Sequence, residues 1–241
     1  MLRMEEGKKR GHNHIISQAI DEIVRIMGEI GFKPVSGPEA ESGFYNFDAL
    51  NFPKDHPARD MQDTFWLKDP VQKNKETKEL LRTHTSPVQI RYLEAHKPPC
   101  AIIVPGKVYR NEATDATHEA QFYQVEGLLV KEKVSMAELK GTLLHLFKGF
   151  FGDDVEIIFR PSFFPFVEPG VEVAMKWKGR TLEMMGAGLV HPNVLRAAGI
   201  DPEKYQGFAF GGGIDRMVML KYGIDDIRMI YNGDLRLVNQ F

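Results

Sequence analysis

From Cys100 onward the chain is a succession of short β-prone runs set too close together for parallel pairing, and this limits its fold more than any other feature. Cys100 to Val104, Val108 to Arg110 and Phe122 to Val130 read as strands, the first two broken by Pro105-Gly106, and Val155–Phe159, Val171–Trp177 and Arg180–Met184 read as three more. Parallel neighbours need a crossover of about a dozen residues or more. Most of the gaps are shorter. The long gap holds Ser135-Met-Ala-Glu138, a capping box opening a helix with Leu139, Leu143, Leu146, Phe147 and Phe150 on one face. A second helix runs from Ile16, where Ile16, Ile20, Ile23, Met27 and Ile30 recur with 4-3-4-3 spacing and Gly31 offers a stop. A third covers about Ile214 to Tyr222. Pro38 to Pro70, rich in Pro, Asp and Asn with scattered aromatics, reads as a long ordered loop of the kind that carries function. The expected fold is α+β, an antiparallel sheet flanked by helices.

With 241 residues, 43% of them hydrophobic and 27% charged, the chain suits one domain with a sizeable core. Residues 1–13 are a polar, basic, flexible lead-in and 14–241 form the single domain. The 31 basic and 33 acidic residues leave a net charge of −2, so no global basic field draws in polynucleotides. A local patch or another subunit would have to supply such affinity. The lone Cys100 excludes an intramolecular disulfide, and no apolar run approaches the length of about 18 residues of a membrane span. These features suggest a soluble cytoplasmic protein without a membrane partner.

Walker and Rossmann signatures are missing, since Gly211-Gly212-Gly213 leads into Asp215-Arg216 rather than a third spaced glycine. Two polar strands stand out instead. Val108-Tyr-Arg-Asn-Glu112 places Arg110 and Glu112 on one face, and Phe122-Tyr-Gln-Val-Glu126 does the same for Phe122, Gln124 and Glu126. Facing one another they could hold an anion, an amine and a flat base; a solvated outer sheet face with ordinary ion pairs is the equal alternative. Phe210-Gly-Gly-Gly-Ile-Asp-Arg216 runs into an apolar helix, where glycines admit a ligand close to the backbone and an arginine can grip phosphate or stack on a base. A glycine turn before a core helix fits the same residues.

The conjunction and order of these pieces resemble the class II aminoacyl-tRNA synthetase core, and within it the bacterial-type phenylalanyl-tRNA synthetase α subunits. Asp55-His-Pro-Ala-Arg-Asp-Met-Gln-Asp-Thr-Phe65, Leu81-Arg-Thr-His-Thr-Ser86, Phe164-Pro-Phe166, His191-Pro-Asn-Val-Leu195 and Gly207-Phe-Ala-Phe-Gly211 carry the match, from about Gly11 to Phe241. The resemblance implies a class II sheet, activation of L-phenylalanine with ATP and Mg²⁺, transfer to tRNA(Phe), and a β subunit in an α2β2 heterotetramer that also carries editing. It implies Arg110 and Arg216 as catalytic, and Arg110, Glu112, His118, Phe122 and Arg216 around ATP. For the amino acid it implies Trp66, His84, Ser86, Gln89, Gln124 and Glu126 at the polar end, with Phe164, Phe166, Val167 and Ala209 around the ring. Glu168 is the implied magnesium ligand, with Glu183 a second candidate.

The pattern departs from the family at Asp215, where glutamate is usual before the arginine, and the family's N-terminal coiled coil lies outside this sequence. Two other readings stay open: a class II paralogue activating another acid, and a catalytically idle scaffold. Intact Phe164-Pro-Phe166 argues against the first, and intact Arg110, Glu112, Phe122 and Arg216 against the second.

Overall fold

The computed structural model describes residues 11–59, 64–68 and 79–241, so most of the lead-in and the middle of the Asp55–Phe65 run lie outside the described residues. The chain opens with helix α1, Ile15–Glu29, whose buried face carries Ile16, Ile23 and Met27 as the spacing requires. Ile20 is half-buried and Ile30 is exposed. His14 caps the helix, its ring Nδ1 accepting from the N–H of Ile16 at 3.3 Å. Gly31 leaves it with a φ of +87°. Strand β1 is Lys33–Pro34.

The segment expected as a long loop contains short elements: β2 Ala40–Ser42, α2 Gly43–Asn46, and 3₁₀ turns at Asp48–Leu50 and Pro57–Arg59. β3, Glu79–Leu81, pairs antiparallel with β2, and α3 follows at Pro87–Ala95. β4, Cys100–Tyr109, and β5, Gln121–Lys131, come next, then α4, Met136–Phe151. Ser135 caps α4 as the box predicts, but Glu138 pairs with Lys131 at 2.5 Å instead of reaching back. Three strands follow, β6 Glu156–Pro161, β7 Val167–Trp177 and β8 Arg180–Val190. After α5, Pro192–Ala197, come β9 Gln206–Gly213, α6 Ile214–Tyr222, α7 Arg228–Tyr231 and α8 Leu235–Val238.

The main sheet has the order β1-β4-β5-β9-β8-β7-β6. Every pairing in it is antiparallel except that of the two-residue edge strand β1 with β4. Two local expectations are corrected. Pro105-Gly106 does not break β4, which pairs with β5 without interruption. Ile103, Lys107 and Tyr109 spend backbone groups on the side away from β5, on Val35, Arg82 and Arg82 respectively. Pro105 shares that register, so its missing N–H falls on a flank where β1 has already ended and no ladder bond is lost. The glycine run after Phe210 is likewise the end of a central strand, β9, rather than a turn.

Pleat alternation gives the sheet two different faces. Val125 of β5 and Phe208 and Phe210 of β9 join the larger core, formed with Ile23, Leu143 and Phe147 of α1 and α4. Leu128 of β5 and Ala209 of β9 point the other way, into a second core with Val88, Ile90 and Val194 from α3 and α5. The second face is only partly covered. Among the described residues no helix is long and apolar enough to cross a membrane.

Candidate functional site

A cavity of about 400 Å³ opens on that partly covered face. Its floor is read from the register. Glu126, Gly211 and Gly186 lie side by side across β5, β9 and β8, and one step along the strands Leu128, Ala209 and Gly188 do the same. The row at Glu126 is polar and the next is apolar, so the floor grades from a charged end to a greasy one. Gly211 is required there, because a Cβ would sit 2.6 Å from Cγ of Glu126.

Glu126 is the electrostatic centre. It is only 4% exposed, and its carboxylate accepts from the Thr85 N–H (3.1 Å), Ser86 Oγ (2.5 Å) and Gln89 Nε2 (2.8 Å). Burial pushes its carboxyl upward against those donors. All three donors are neutral, and Arg110 and Arg82 act on it through space. A buried anion held only by neutral groups favours a cationic guest.

The segment before α3 is anchored from outside. Buried Arg82 donates from Nε to the Lys107 carbonyl and from Nη1 to those of Gly37 and Pro38, while its N–H reaches the Glu39 carbonyl. Asn46, fully buried, exchanges two hydrogen bonds with Thr83, whose carbonyl accepts from Arg110 Nε at 3.2 Å. Arg110 also lies over the Phe122 ring, 5.2 Å from its centroid. Arg82 and Asn46 are positioning residues that sequence reasoning missed, because nothing local marks a polar residue whose partners lie tens of positions away.

Next to this network, both ring nitrogens of His84 and Oε1 of Gln124 are buried without partners. Burial and nearby Arg110 hold His84 down at about 3, so its imidazole is neutral near pH 7. His84 and Gln124 line the cavity, while these unpartnered atoms are themselves sealed from it. Phe164 and Phe166 line the apolar end, 5.8 Å apart and near parallel, and Phe52 contacts both Phe166 and His84. Asn51 joins these walls, donating to the Pro165 carbonyl and accepting from Asn193. Phe47, Phe52, Val190 and Val194 also line the cavity. The aromatic richness of the long loop was the signal for Phe47 and Phe52, and the His191–Leu195 run for Val194.

Arg110, Glu112, His84, Ser86, Gln89, Gln124, Glu126, Phe164, Phe166 and Ala209 thus converge on one cavity. The other expected residues lie outside its lining. Val167 is buried over Gly188, behind the wall. Trp66 bridges Leu80 and its ring lies 6.2 Å from Phe47. Phe122 sits beneath Arg110, and His118 is exposed and tied to Asp115 at 3.0 Å. Arg216, on the first turn of α6, donates to the Glu183 carbonyl at 2.9 Å. Glu168 and Glu183 are exposed, and no group of three or more His, Cys, Asp or Glu among the described residues could hold a metal ion. The described side chains therefore form no resident metal site by themselves.

The family model described as tRNA synthetases class II core domain (F) matches residues 3–241. Phenylalanine--tRNA ligase alpha subunit of Dehalococcoides mccartyi is 52% identical, with 96% of this chain and 70% of that protein covered. The subunits of the same name from Caldanaerobacter subterraneus and Synechocystis sp. are 51% and 50% identical, each over 97% of this chain and over 70% and 68% of theirs. Among solved structures, pyrrolysyl-tRNA synthetase from Desulfitobacterium hafniense superposes with a TM-score of 0.71 over 91% of this chain and 74% of that one, at 19% identity, a likeness of fold. The convergence of the polar strand pair on a graded cavity, set in a sheet of this order and matched over nearly its whole length, shows that the chain belongs to the class II aminoacyl-tRNA synthetases, in the family of phenylalanine–tRNA ligase α subunits.

Proposed function

We propose that the chain is the catalytic core of a phenylalanine–tRNA ligase α subunit, activating L-phenylalanine with ATP and passing the acyl group to tRNA(Phe) together with a β subunit. The buried Glu126 at one end of a cavity whose other end is aromatic carries this reading. An α-ammonium group neutralises Glu126, and a benzyl side chain reaches Phe164 and Phe166, where oriented rings add about 0.5–1.5 kcal/mol beyond burial. His84 and Gln124, which line the cavity, supply the remaining polar contacts.

In the first step an oxygen of the bound carboxylate attacks the α-phosphorus of ATP and pyrophosphate leaves; in the second, a hydroxyl of the tRNA's terminal ribose takes the acyl group and AMP leaves. No protein nucleophile is needed. Arg110 faces the cavity and holds the α-phosphate and carboxylate together, and Phe122 offers a flat face for adenine, with Glu112 beside it for the amine. Arg216 covers the other adenine face and His118 reaches the distal phosphates. Magnesium would enter with ATP, near Glu168; the steps above use only the chain's own groups.

Amino-acid-dependent exchange of pyrophosphate into ATP, with and without the β subunit, tests the proposal. Stimulation by phenylalanine alone is expected, and stimulation by another amino acid, or by none, overturns it. Ala209→Gly would deepen the apolar end and admit para-substituted phenylalanines. Because an apolar pocket rejects tyrosine only about a hundredfold, we expect that variant to exchange with para-chlorophenylalanine at a rate approaching that with phenylalanine. Unchanged rejection of this analogue would remove Ala209 from the pocket's end.

A further inference from the structure

Asp215 sits where the two proposed adenine faces meet. Its side chain is 2% exposed; Oδ2 accepts from the Tyr123 N–H at 2.6 Å and Oδ1 accepts from the Tyr231 hydroxyl. Tyr123 directly follows Phe122, and Asp215 directly precedes Arg216. The carboxylate therefore ties the strand bearing one face to the helix bearing the other. The tie continues into the C-terminal segment. Two residues of that segment make further backbone contacts: the Ile227 N–H donates to the Ala116 carbonyl at 2.9 Å, in the loop between β4 and β5, and the Ile230 carbonyl lies 3.1 Å from Nε2 of His14 at the start of α1. Residues 227–231 are thus fastened to the Arg110–Ala120 loop, to α1 and to the residue beside Arg216.

We infer that Asp215 and Tyr231 are positioning residues for ATP, and that the C-terminal segment holds both walls of the nucleotide site in register through them. The inference rests on the reading of Phe122 and Arg216 as the adenine faces. It also accounts for an aspartate before Arg216: the carboxylate is occupied by the Tyr123 amide and the Tyr231 hydroxyl, so its length is set by that pair rather than by the arginine, whose Nε goes to the Glu183 carbonyl.

The test is phenylalanine-dependent pyrophosphate exchange by the full chain with its β subunit, comparing unaltered protein with Tyr231→Phe. Tyr231→Phe removes one hydroxyl donor to a carboxylate, and we expect the KM for ATP to rise about tenfold, the scale of one charge-assisted hydrogen bond, with the KM for phenylalanine within about twofold of the original. An unmoved KM for ATP, or equal rises in both constants, overturns the inference, since a merely structural defect does not separate them. If Tyr231→Phe does not fold, Asp215→Asn, which keeps the side chain's size and one acceptor oxygen but removes its charge, carries the same expectation and the same failure. Absence of exchange in the unaltered protein instead overturns the functional reading, and the role of the tie falls with it.

Discussion

Replacing Glu126 with glutamine is expected to lower kcat/KM for phenylalanine in pyrophosphate exchange by two to three orders of magnitude, while the KM for ATP and the melting temperature stay close to those of the unaltered chain. The carboxylate is buried and its three hydrogen-bond donors are neutral, so, with Arg110 and Arg82 acting only through space, it lacks a directly paired cation until a ligand arrives. Losing one partner of a buried, hydrogen-bonded charge pair costs about 2–5 kcal/mol, and a tenfold change corresponds to about 1.4 kcal/mol. The amide keeps an acceptor for the Thr85 N–H. Its new N–H₂ group meets Ser86, whose hydroxyl can turn to accept, and Gln89, whose amide can flip, so the network re-forms and the fold survives. Because burial already works against the charged form, removing the charge relieves the empty site even as it disables binding. A variant that melts normally and exchanges normally would show that Glu126 does not hold the ammonium group.

How much of this could be read beforehand differs between elements for physical reasons. α1 and α4 were legible because a helix writes its buried face into the sequence every three or four residues, and Ser135 with Glu138 marks a start. β5 was legible as a β-branched and aromatic run. β9 was not. Half of Gln206–Gly213 is glycine, which has poor strand propensity, and its extended form comes from pairing with β5 and β8 on either side. α3 has nine residues and a mixed surface, too short for a clear period. In the site, the polar face of Phe122, Gln124 and Glu126 followed from alternation alone. That Gly211 and Gly186 lie beside Glu126 could not follow, because register between strands tens of residues apart is set by the assembled sheet. Val190 and Val194 reach the cavity for the same reason: the turn into α5 carries them over the β8–β9 floor.

That assembled register makes Gly127→Ala the substitution with the largest expected effect on stability. Gly127 lies opposite Phe210, and a Cβ on it would stand 2.2, 2.4 and 2.9 Å from three atoms of that ring. The ring is 2% exposed and packs within 6.3 Å of Phe32, so it has no solvent side into which to swing. Overpacking a core typically costs about 1–3 kcal/mol, and contacts this close on a rigid aromatic belong at or above the upper end. Against a total stability of about 5–15 kcal/mol, that predicts a melting temperature lower by roughly 6–12 °C for a domain of this size. Gly141→Ala supplies the contrast. Gly141 is on the exposed side of α4 with nothing within 4 Å of its would-be Cβ, and the same methyl group there should add about 0.5–1 kcal/mol by favouring the helix. Paired thermal melts therefore read the sheet register directly: opposite signs place Phe210 over Gly127, and a Gly127→Ala chain that melts no lower than the original would mean that the ring lies elsewhere.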